Sequence, residues 1–147
     1  MKYTEYQQGV NITLEGLKDH LRIVDNSRDA ELSKLLKSAT IFVQEYFNVA
    51  LVACSVLQEP PYADKCFSLF LSDQYNIQVK DYNGVAVSFT REGDYIVLPH
   101  SEAVKISYDC QPDDVDRYAT IVYQIAAANY DGQPEMIKQI LKNYPVC

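Results

Sequence analysis

The sequence contains no tryptophan, two histidines, five glycines and six prolines in 147 residues, and it has no apolar run near the length of a bilayer span. Each shortage removes a class. With Gly and Pro this sparse and charged residues at 22%, neither a fibrous nor a disordered chain is indicated. A membrane-spanning helix needs ~20 apolar residues in succession, and none is found, so no membrane partner is expected. The glycines, Gly9, Gly16, Gly84, Gly93 and Gly132, are never grouped as a dinucleotide site or P-loop demands, which leaves no support for a cofactor. No Cys-x-x-Cys, His-x-x-x-His or Glu-x-x-His spacing occurs, so no metal is expected. His20, beside Asp19, and His100, after Pro99, lack any nucleophile signature around them. Both are read as solvated, and no catalytic residue is assigned.

Positive charge is also in short supply. Thirteen Lys and Arg face twenty Asp and Glu, a net charge of -7. Residues 1–58 carry six positive and seven negative groups, residues 59–111 four and eight, and residues 112–147 three and five. A phosphate backbone is bound by neutralising it with Lys and Arg, so this balance makes a poor nucleic-acid binder. Asp113, Asp114 and Asp116 could serve acid-base chemistry or a hard cation, but Asp113 and Asp114 are explained by capping a helix start. Cys54, Cys66, Cys110 and Cys147 would suggest two bridges in a short secreted chain. The opening residues Met1-Lys2-Tyr3-Thr4-Glu5-Tyr6-Gln7-Gln8 hold no apolar signal core, so the expectation is an intracellular chain with reduced thiols, Cys54 and Cys66 being buried small hydrophobes.

What is present is apolar material, 48% of the chain, enough for the core of one domain over residues 1–147. Tyrosine is abundant at twelve residues, a side chain with an apolar ring and a hydrogen-bonding tip that suits half-buried contact surfaces. Thr13 precedes Leu14, Leu17 and Leu21, which predicts a short capped helix over Leu14–Leu21. Asp25-Asn26-Ser27 offers a second N-cap. Residues 28–47 then place Leu32, Leu35, Leu36, Ala39, Phe42, Val43, Tyr46 and Phe47 on one side, leaving Ser33, Lys34, Lys37, Gln44 and Glu45 for solvent or a partner.

From Ala50 the pattern turns to short runs of Val, Ile, Phe and Tyr, and residues 50–111 read as an antiparallel sheet inserted between helices. Asn83-Gly84 suits a two-residue hairpin turn between Ile77-Gln78-Val79-Lys80 and Val85-Ala86-Val87-Ser88-Phe89. Glu92-Gly93-Asp94 makes a second turn before Tyr95-Ile96-Val97-Leu98, and residues 103–108 alternate as a further strand. Pro112 opens a third helix with Val115, Ala119, Val122, Ile125, Ala126 and Asn129 on one face, ended by Gly132 and Pro134, and residues 135–142 form a last helix. The fold class is therefore α+β: an N-terminal helical pair (1–49) and C-terminal helices (112–147) in a small bundle, with the β region (50–111) inserted. The helices expose surface that another polypeptide would complete.

The ordering of these segments resembles a known family. Ile12-Thr13-Leu14-Glu15-Gly16-Leu17-Lys18-Asp19-His20-Leu21-Arg22-Ile23, the acidic turn from Asp25 to Asp29 and the long helix ending Glu45-Tyr46-Phe47 are similar to the start of tailed-phage head-tail connector (adaptor) proteins. Val104-Lys105-Ile106-Ser107-Tyr108 leading to Pro112, then a helix ending Ala127-Ala128-Asn129-Tyr130-Asp131, matches the family's last strand and Ala-rich helix. Asp109-Cys110-Gln111 stands where relatives usually carry a Gly, and Asp131-Gly132-Gln133 replaces a usual Asn-Arg-Glu. The resemblance implies a structural, non-catalytic virion subunit of a phage or prophage, made in the bacterial cytoplasm and assembled as a ring at the head-tail junction. Its implied partners are the portal protein, further copies of itself and the next connector, stopper or tail protein, with DNA passing through unbound. By that analogy Asp81, Tyr82, Asn83 and Gly84 are expected to contact a neighbour, and Met136, Ile137, Ile140, Leu141 and Tyr144 to dock on the portal. The alternative is an acidic binding module that inhibits a host protein.

Overall fold

The computed structural model describes residues 2–6, 12–112 and 115–144; the expected capping pair Asp113 and Asp114, and Cys147, lie outside these. Helix α1 (Leu14–Leu21) begins where the Thr13 hydroxyl accepts the Gly16 amide at 3.1 Å, as expected, and stops at Arg22 in the left-handed region. Helix α2 (Asp29–Phe47) is the longest element and ends at Asn48, also left-handed. Its predicted side-chain cap is corrected. The N-cap is Arg28 with no side-chain bond, while Asp25 accepts from the backbone and hydroxyl of Ser27 at 3.1 and 2.7 Å, closing a local turn instead. Lys18 ties this loop down: buried, it reaches Asn26 Oδ1 at 2.7 Å and pairs with the buried Asp29 Oδ1 at 3.0 Å.

The expected single sheet proves to be two. Strand β1 (Lys2–Tyr6), which the sequence reading did not anticipate, joins β2 (Cys54–Gln58), β7 (Lys105–Cys110) and β4 (Gln74–Lys80) in the order β1-β2-β7-β4, all antiparallel. Strands β3 (Asp64–Ser68), β6 (Tyr95–Glu102) and β5 (Thr90–Glu92) form a second sheet, β3-β6-β5. The inner faces of both sheets share one apolar cluster, including Cys54, Val56, Phe67, Ile96, Leu98, Ile106 and Tyr108. One long sheet could not bury that face, whereas folding it into two layers does.

The β4 turn also differs from expectation. Gly84 has φ +84°, but Asn83 does not take the positive φ that a two-residue turn requires. The Gly84 amide bonds Asp81 O and the Asp81 amide bonds Val85 O, a three-residue loop with Gly84 left-handed. Residues 85–89 are no strand: only Ala86 bridges Lys80 before the chain crosses to β5.

Strands β2 and β7 enter and leave the inserted region and pair directly, with Cys54 opposite Cys110. That pairing returns the chain next to where it left, so helix α3 (Val115–Tyr130) packs on α2, and α4 (Met136–Lys142) packs on α3. The helices form a second core with Ile12, Leu17, Leu32, Leu36, Ala39, Val43, Ile121, Val122 and Ile125 buried. Three assignments on α2 are corrected here. Phe42 and Tyr46 are 40% and 43% exposed, and Gln44, expected in solvent, is 0% exposed. Cys66, expected buried, is exposed, because β3 buries only Phe67.

Candidate protein-docking surfaces

Side-chain hydrogen bonds tie the junction between the two cores together. Gln44 Oε1 on α2 accepts the Leu51 and Val52 amides at 2.8 and 3.1 Å, and its Nε2 donates to the Tyr3 hydroxyl of β1 at 3.3 Å. Asn48 Oδ1 accepts the Leu71 amide at 2.7 Å, and Ser72 Oγ accepts that of Ala50 at 2.9 Å. On the sheet side Gln58 Oε1 takes the Tyr108 hydroxyl, and Tyr108 in turn accepts the Phe70 amide at 3.0 Å. Burial pushes the Tyr108 phenol above its usual range, against the lowering effect of that amide. Cys54 and Cys110 are free and buried side by side; the Cys110 thiol is pushed up by its bond to Cys54 and by burial. These groups build a scaffold, and what they position is surface.

Four surfaces result. The first is the hairpin tip after β4. Asp81 accepts the amides of Asn83 and Val85, both at 2.9 Å, which stiffens the loop, and Tyr82 stands 54% exposed with Lys105 Nζ 5.2 Å from its ring centre. Val85 beside it is 60% exposed. The second is α4, where Ile137, Ile140, Leu141 and Tyr144 are half-buried against the helical core and Met136 is 41% exposed. The two sets of contact residues expected from sequence are thus not brought together: α4 touches α3 alone among the described elements.

The third surface is polar and was not anticipated. The outer face of the four-stranded sheet is an open groove of about 590 Å³ lined by residues including Thr4, Ser55, Asn76, Ser107 and Asp109. Asp109 accepts from Ser55 Oγ at 2.6 Å and Asn76 Nδ2 at 3.1 Å, so its carboxylate is occupied within the sheet. The fourth is aromatic. Phe42 stacks on Tyr46 along α2, and Phe70, 41% exposed, forms the wall shared by two depressions, one with Pro60, Pro61 and Tyr62, the other with Glu45 and Asn48. Phe42 and Tyr46 had a signal in the sequence, two aromatics four apart on a helix, but the same spacing serves a core. Phe70 had none.

His20 lies 6.3 Å from the Tyr123 ring, and His100 is exposed on β6. Among the described residues no three of His, Cys, Asp or Glu gather as a metal-binding group, and no helix is long and apolar enough to cross a membrane.

Three solved structures share this arrangement. A chain in the virion of a native gene transfer agent particle aligns over 100% of this chain and 96% of its own, with TM-score 0.62 and 15% identity. A chain from the neck of the native particle, computed with C12 symmetry, aligns over 100% and 96% with TM-score 0.61 and 14% identity. One from the neck of the empty particle, computed with C6 symmetry, aligns over 89% and 84% with TM-score 0.58 and 16% identity. These likenesses show the fold. No curated protein sequence matches the chain. The family model described as phage gp6-like head-tail connector protein matches residues 11–144, from the segment before α1 to the end of the α4 region, and the chain belongs to that family.

Proposed function

We propose that this structural connector subunit works as one member of a closed ring between a phage or prophage head and its tail, seated beneath the portal and followed by a further connector or tail protein. The observation that carries the reading is the family match along residues 11–144 of a chain that joins a helical core to a two-sheet body. Support for the ring comes from the solved structures of like fold, which belong to necks computed with C12 and C6 symmetry. Assembly takes place in the bacterial cytoplasm and the product resides at the head-tail junction of the virion. The role asks for contact surfaces and no reacting groups.

Within that reading the hairpin residues Asp81, Tyr82, Asn83 and Gly84 contact a neighbouring copy, and the exposed edge of α4, led by Met136, faces the portal. The half-buried Ile137, Ile140, Leu141 and Tyr144 hold α4 on α3 and present its outer face. The net charge of -7 suits a channel wall along which DNA slides, since each exposed carboxylate repels phosphate. Electron microscopy of the chain mixed with the portal protein encoded beside it tests the proposal. Ring density on the portal's tail-facing end is expected; one-to-one binding to another protein with no ring would refute it.

A further inference from the structure

Val24, an apolar residue in the α1–α2 loop, is 96% exposed. The loop that presents it is tightly built. The Ile23 amide bonds Lys18 O at 2.9 Å, Lys18 Nζ holds Asn26, and Asp25 is spent on Ser27, whose bonds hold its carboxyl below the usual range. Val24 is therefore a fixed knob, and exposed Arg22 stands two residues before it. At the far end of α2, roughly 28 Å away for a helix of this length, Phe70 separates two depressions of about 230 and 320 Å³ whose polar rims are Glu59 and Glu45.

We propose that Val24 of one copy seats against Phe70 of the next, with Arg22 between Glu45 and Glu59. The occupant is a second copy of this chain on two grounds. The charges are complementary, one guanidinium facing two carboxylates, and knob and receiving surface sit at opposite ends of a rigid helix. A contact between different patches at opposite poles is head-to-tail and repeats with a fixed rotation, so it does not stop at a pair, and it closes into a ring where that rotation divides a full turn. The Tyr82 hairpin does not supply the opposite pole. Lys80 pairs with Lys105 and Gln58 with Ile106, so the tip and Glu59 leave the same end of the four-stranded sheet, roughly 10 Å apart. The hairpin adds to the receiving side.

The proposal rests on the ring reading and can fail without it. In chains carrying Cys66→Ser and Cys147→Ser, Val24→Cys is made in one preparation and Tyr62→Cys, at an exposed residue beside Phe70, in another, and the two are mixed with a short bis-maleimide. The 24–62 heterodimer should exceed the yield of Val24→Cys mixed with His100→Cys by about ten-fold, the gain that preassociation gives over random encounter. Arg22→Glu in the first chain should lower that yield several-fold, and Glu59→Lys in the second should restore it. Equal yields for the 62 and 100 positions, or a yield that charge reversal leaves unmoved, would overturn the contact. Should ring density on the portal persist in that case, the connector reading stands and only this interface falls.

Discussion

Gln44 shows how one side chain can join two cores. Its amide serves two backbone N–H groups and a phenol from two separate segments, at zero exposure. Gln44→Leu keeps the volume and removes every acceptor, leaving two buried N–H groups without a partner at about 1–3 kcal/mol each. We expect stability in urea to fall by about 2–4 kcal/mol; a loss under about 0.5 kcal/mol would show that water replaces the amide. Gly16 makes the opposite point. A Cβ there would run into the ring end of Tyr123, whose hydroxyl accepts the Thr13 amide at 3.1 Å. Gly16→Ala should therefore destabilise by about 1–3 kcal/mol despite the ~1 kcal/mol that alanine gains in a helix. Alongside the raised Cys110 thiol, Tyr108 contributes to the pH dependence at the alkaline end. Its folded pKa lies above the unfolded value of about 10, so its contribution is complete below pH ~10 and is lost as pH rises beyond that. Tyr108→Phe should unfold more easily at pH 8 and lose less on going to pH 11 than the parent, measured by urea midpoints.

At the level of elements, the helices were legible and the strands less so. The bounds of α1 follow from the Thr13 cap and those of both α1 and α3 from 3.6-residue spacing, local signals that neighbouring residues carry by themselves. The division into two sheets depends on pairings between residues as distant as Lys2 and Leu57, or Asp64 and Glu102, which no window along the chain contains. The hairpin tip was found by its Asn-Gly pair although its turn type was not. Gly84→Ala, at φ +84°, should cost about 1 kcal/mol and loosen the tip alone, seen as faster amide exchange at Val85 with no change at Ile106. For α4, removing residues 136–147 would uncover the part of the helical core that it packs against as well as remove the proposed portal contact, so truncation alone cannot separate docking from folding. Met136→Asp does so: binding to the portal should drop at least several-fold while the melting temperature moves by less than about 2 °C.

Taken whole, the molecule has the fold of a connector subunit and a net charge of -7, opposed to nucleic acid. Electrophoretic mobility of linear DNA should be unchanged by the free chain even at low salt, where phosphate contacts are strongest. A retarded band that vanishes on raising the salt would contradict the repelling channel. The family was legible before the structure because it rests on the order of elements and a few quoted runs, from Ile12-Thr13-Leu14 to Asn129-Tyr130-Asp131, and sequence order survives without coordinates. The proposed contact residues differ in what they expose: Tyr82 and Met136 are exposed, Ile137, Ile140 and Leu141 are half-buried against the helical core, and Val24 and Phe70 carry no signal in the sequence.

The sequence by itself determined the α+β class, the helices and the shortage of positive charge, because composition, capping and periodicity act over a few residues, and the order of its segments carried the resemblance to the connector family. Only the tertiary structure decided that two sheets share one core, that Gln44 lies inside while Phe42 and Tyr46 lie outside, and that Val24 and Phe70 mark opposite ends of α2. Burial is a relation between segments far apart in the chain, and an amphipathic stripe states which residues prefer to be covered without saying what arrives to cover them.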